Sequence, residues 1–171
     1  MTAMIRKVSL VASALVLTSA LPALAQSHGP YLGASVGVCK TRDRDYENAL
    51  AWKAYGGHSL GRFIALEGGY DDLGTRDNGW GDQLRLWGVS GFGILKINVG
   101  PTNLFGKVGI TYMRGTVVDS GSDATTGTGL AYGGGLSVSL GKVGVRAEAE
   151  WFDVPEVGKP FRATAGLMIG F

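Results

Sequence analysis

The 171 residues carry 16 Lys and Arg against 14 Asp and Glu, with 45% hydrophobic side chains, 29 Gly, five Pro and one Cys. So apolar and nearly neutral a chain is not a disordered one. Gly without a period of three and with little Pro excludes collagen, and a lone Cys39 excludes a disulfide framework.

In chain order, residues 1–25 read as a removable export signal. Arg6 and Lys7 come first, an apolar run from Val8 to Leu17 follows, and Ala23-Leu24-Ala25 forms a small-residue cleavage site. Residues 26–171 are expected to form one domain. All the Gly lies there, making it about 20% Gly against a usual level of about 7%. Loss of Arg6 and Lys7 leaves 14 basic residues against 14 acidic ones, so the domain is formally neutral. The positive excess belongs to the signal, and no nucleic-acid partner is expected. The longest uncharged stretch beyond the signal, Ala124 to Gly141, alternates and carries six Gly, which excludes a membrane-spanning helix.

The apolar period is two. Turn signals cut the domain into eight expected strands: 30–39, 49–58, 62–72, 83–97, 103–116, 127–141, 143–153 and 160–171. In the first, Leu32, Ala34, Val36 and Val38 alternate with Gly33, Ser35 and Gly37. In the seventh, Val143, Val145, Ala147, Ala149 and Trp151 alternate with Gly144, Arg146, Glu148 and Glu150. Segments of about ten residues with one apolar face are what a transmembrane β-barrel needs. In the fourth segment both phases hold large apolar groups (Trp87, Val89 and Leu95 against Leu86, Phe92 and Ile94), which leads us to expect a bulge or a shifted register there.

The separators alternate in kind. His58–Gly61, Asn98–Thr102 and Gly141-Lys142 are tight, whereas Lys40–Asn48, Leu73–Asp82, Val117–Thr126 and Val154–Lys159 are longer and polar. Short turns at one rim and longer loops at the other fit an eight-stranded antiparallel up-and-down barrel crossing the outer membrane. The rival is a soluble, lipocalin-like carrier with the same period and the opposite orientation. Two features favour the membrane form. The polar phase is rich in Gly, Ser and Thr, suited to a cramped lumen, and aromatic residues gather near strand ends: Tyr70, Tyr112 and Trp151 towards the loops, His58 and Phe171 towards the turns.

The strand phases send Lys53, Glu67, Lys107, Arg146, Glu148 and Glu150 into the lumen. Buried charge is costly unless paired, so one mutually neutralising network is expected, forming a structural plug or, alternatively, a gate in a narrow pore. Catalysis has little support. Some barrels of this size act on lipid A and need a nucleophile beside a base, but His28 precedes the first strand, and His58 and Ser59 are neighbours on a strand and face opposite ways. No catalytic, cofactor or metal site is expected. The alternating Asp43, Asp45 and Glu47 are interleaved with Arg42 and Arg44 in a solvated loop, which could also meet lipopolysaccharide phosphates. Cys39 is expected to be a partly buried thiol and, with no lipobox before it, not a lipid anchor.

AWKAYGGHSL (Ala51–Leu60) followed by FIALEGGYDDLG (Phe63–Gly74) resembles the second and third strands of the OmpA-like transmembrane domain. PYLGASVG (Pro30–Gly37), LFGKVGITY (Leu104–Tyr112) and VRAEAEWFD (Val145–Asp153) are similar to its first, fifth and seventh. The resemblance implies that Glu67 and Arg146 face each other across the lumen. It also implies that the terminal Phe171 is a signal to the outer-membrane assembly machinery, and that lipids and lipopolysaccharide surround a monomer. Because the chain ends at Phe171, no peptidoglycan-binding domain is expected. The role implied is structural support of the envelope; an adhesin acting through the loops, or a narrow diffusion pore, are the alternatives.

Overall fold

The structure, a computed structural model, describes residues 29–40, 49–77, 83–117 and 125–171. The expected signal, His28 and the charged run Arg42–Glu47 lie outside the described residues.

Eight strands follow one another: β1 (Pro30–Lys40), β2 (Ala49–Ser59), β3 (Ile64–Asp77), β4 (Gln83–Val99), β5 (Thr102–Val117), β6 (Thr125–Leu140), β7 (Val143–Asp153) and β8 (Phe161–Gly170). Each pairs antiparallel with the next, and β1 pairs with β8 to close the barrel. Closure leaves no sheet edge, which lets strands sit in lipid with every backbone group satisfied. Two of the tight turns carry Gly at positive φ, Gly100 (61°) and Gly141 (68°).

The alternation resolves as the membrane orientation requires. Leu32, Leu50, Leu66, Leu95, Ile110 and Leu167 are exposed on the outer wall, Leu95 by 68% and Ile110 by 65%, while the polar phase faces inward and is buried. A soluble carrier would show the reverse. Aromatic side chains ring the loop side of the outer wall. Trp52, Tyr70 and Trp87 form one row, with centroids 5.4 and 5.9 Å apart, and Tyr132, Trp151 and Phe161 form another at 6.0 and 5.0 Å. Phe63 and Phe171 are exposed near the turns.

Three expectations need correction. β4 has no bulge: it pairs with β5 without a break from Leu84 to Val99. Both of its phases are apolar because Leu86, Phe92 and Ile94 face inward and are buried there, while Val89, Leu95 and Ile97 face lipid. The irregularity lies in β3, at Leu73, between Asp72 and Gly74. Beyond it β3 continues to Asp77, through residues expected to be loop. Gly74 holds φ at +81°, its N–H donates to Asp72 Oδ1 at 2.9 Å, and a Cβ there would strike the Leu50 carbonyl. Cys39 is fully buried, not partly so, because its inward position at the loop end of β1 falls within an apolar cluster with Leu73, Met113, Phe152 and Val154.

Candidate functional site

The lumen is packed in layers set by strand register. Towards the loops lie Cys39, Ala51, Leu73, Leu86, Met113 and Phe152, and towards the turns Tyr31, Tyr55, Ala65, Phe92 and Ile94, all buried. Gly on the inward phase makes room for the rings: a Cβ at Gly33 would overlap Tyr55.

Between these layers lies a sheet of charge. Strand alternation points Lys53 inward from β2, Glu67 and Asp71 from β3, Lys107 from β5, Arg146, Glu148 and Glu150 from β7, and Arg162 from β8. That is four cations and four carboxylates, none more than 6% exposed. Arg146 grips Glu67 with both terminal nitrogens, at 2.6 and 3.3 Å, and donates to Glu148 from Nε at 3.1 Å and Nη2 at 2.8 Å. Lys53 Nζ lies 2.6 Å from Glu148, 3.2 Å from Glu150 and 3.5 Å from Glu67. Lys107 Nζ lies 2.8 Å from Glu148 and 3.5 Å from Glu67, and it also pairs with Glu150. Arg162 donates from Nε to Glu150 at 2.8 Å and from Nη2 to Asp71 at 2.7 Å. Two hydroxyls join the layer: Tyr31 donates to Glu67 at 3.0 Å, and Ser90 donates to Asp71.

The layer is neutral as a set, and each cation touches more than one carboxylate. Aromatic faces complete the coordination. Arg146 lies 4.3 Å from the Phe105 ring and 4.8 Å from Tyr55, Lys107 lies 4.3 Å from Phe92, and Arg162 lies 5.2 Å from Phe152. Ring quadrupoles attract cations most strongly where water is absent.

All six charges assigned to the lumen from strand phase are therefore brought together. Asp71 and Arg162 were missed, although Asp71 shares the phase of Glu67 and Arg162 the polar phase of β8. His58 is exposed, whereas Ser59 faces inward and accepts a hydrogen bond from Lys96 Nζ at 2.8 Å.

A closed eight-stranded barrel with an apolar outer wall, aromatic rims and a polar interior is a transmembrane barrel of the outer-membrane type. The chain belongs to the outer membrane protein beta-barrel domain family, whose model matches residues 11–156. Solved structures that share the fold include three at 16% identity. Neisserial surface protein A gives a TM-score of 0.69 and covers 86% of this chain and 100% of its own. The N-terminal β-barrel domain of Pseudomonas aeruginosa OprF gives 0.64, covering 85% and 100%. Ail, the attachment invasion locus protein of Yersinia pestis, gives 0.57, covering 82% and 95%. No curated protein matches the sequence.

Proposed function

We propose that this protein is a non-catalytic structural element of the outer membrane, a lipid-soluble barrel whose lumen is sealed by its own charge layer. The observation that carries this reading is the neutral set of eight buried charges, each held by partners from other strands and bounded on both sides by apolar side chains. A permeating ion would have to break several of these pairs at once inside a barrel only wide enough for its own side chains. The separation of His58 from the inward-facing Ser59 hydroxyl supports a role without a hydrolytic site.

Planar-bilayer recording tests the reading. The full chain is expected to be silent, and Glu67→Gln or Arg146→Gln to introduce noise or brief openings. Steady single-channel conductance in the unaltered protein would overturn the sealed lumen in favour of a diffusion pore.

A further inference from the structure

The outer wall carries a second built feature, at the loop rim and away from the lumen charges. Register aligns Lys40 of β1 with Phe161 of β8, Phe161 with Trp151 of β7, and Trp151 with Tyr132 of β6. All four belong to the outward phase, so they form one continuous row across four strands. Above the row, the segment after β7 turns back on itself through a bridge between Val154 and Gly158, and this brings Lys159 over it. The row and this segment enclose a cleft of about 440 Å³ lined by Lys40, Lys159, Asp153, Tyr132, Trp151 and Phe161.

We propose that this cleft seats the phosphorylated headgroup of an outer-leaflet lipid, with the aromatic row supporting its proximal acyl chain. Three features point to that occupant. The cleft lies at the rim of longer loops, which in such barrels is the outer one. Its wall is aromatic and partly exposed, the chemistry of the membrane–water boundary. It holds two ammonium groups against one carboxylate, an excess of positive charge suited to a phosphate. The carboxylate, Asp153, pairs with Lys159 at 3.0 Å, with side chains 45% and 62% exposed. A pair so exposed is weak, so it positions the ammonium and yields it readily to a phosphate. The aromatic row on the far side of the barrel, Trp52, Tyr70 and Trp87, supplies an internal contrast. Of its two neighbouring cations, Arg85 is already engaged by the buried Asp72 at 2.9 Å, while Arg114 stands in register with Trp87 on β5.

The test uses the full chain folded in phosphatidylcholine nanodiscs. Native mass spectrometry would count retained lipid after titration with bisphosphorylated lipid A, with dephosphorylated lipid A, or with lipid A plus excess inorganic phosphate. The proposal expects preferential retention of the phosphorylated form and no displacement by inorganic phosphate. It also expects about tenfold weaker retention in Lys40→Gln/Lys159→Gln and little change in Arg85→Gln. Equal retention of both lipid A forms, displacement by inorganic phosphate, an unaffected lysine double variant, or an equal loss in Arg85→Gln would each overturn it.

Discussion

β7 and β4 line the same lumen and build opposite surfaces. Into it β7 sends Arg146, Glu148 and Glu150, and β4 sends Leu86, Phe92 and Ile94, every one buried. The two chemistries meet where Lys107, paired to the β7 carboxylates, lies 4.3 Å from the Phe92 ring. The charge of this interior is thus shared unevenly among the strands. Charge is concentrated where partners from several strands converge, and the remaining wall supplies shape and ring faces. Such an arrangement keeps every charge within reach of an opposite one, the condition under which buried ions are tolerated.

The comparison breaks most visibly at Arg146. Arg146→Ala takes the two-nitrogen grip from Glu67 and one of three cations from Glu148, and we expect a loss of about 3–5 kcal/mol, read by urea unfolding in vesicles with unboiled gel mobility as the probe. At the bulge that shifts the β3–β4 register, Gly74→Ala forces a side chain into positive φ against the Leu50 carbonyl. The same assay is expected to show a loss of about 1–3 kcal/mol there. On the apolar side, Ile94→Val removes one methylene from a packed site without disturbing a charge, and about 0.5–1.5 kcal/mol should follow. Lys159→Ala, which breaks only an exposed pair, should change stability by no more than about 1 kcal/mol. If Ile94→Val cost as much as Arg146→Ala, the contrast between the two strands would fail.

How legible each region was in the sequence follows from the same contrast. From Val145 to Trp151 on β7, apolar and charged residues alternate strictly, so one phase must face lipid and the other the lumen, and the sequence alone points Arg146, Glu148 and Glu150 inward. On β4, both phases are apolar because lipid and the packed lumen select the same residue types, and periodicity cannot separate them. The large inward groups therefore mimic the sign of a bulge. The real bulge, at Leu73, carries a local mark in Asp72-Leu73-Gly74, an Asx side chain followed by Gly, but it lies where the polar residues read as loop. Asp71 and Arg162 share their strands' inward phases. Arg162 opens β8 and Asp71 lies near the end of the strand expected over 62–72, where a charge reads as solvated until register shows that Arg162 reaches both Asp71 and Glu150.

The central claim is that the lumen charges hold one another across the barrel, and a double-mutant cycle on Glu67 and Arg146 tests it most directly. Glu67→Gln, Arg146→Met and the double variant would be unfolded in urea from the same vesicles. The account predicts that the double variant loses less than the two single losses combined, by about 2 kcal/mol or more. Strict additivity would mean that these two side chains do not stabilise each other in the folded barrel, and would contradict it.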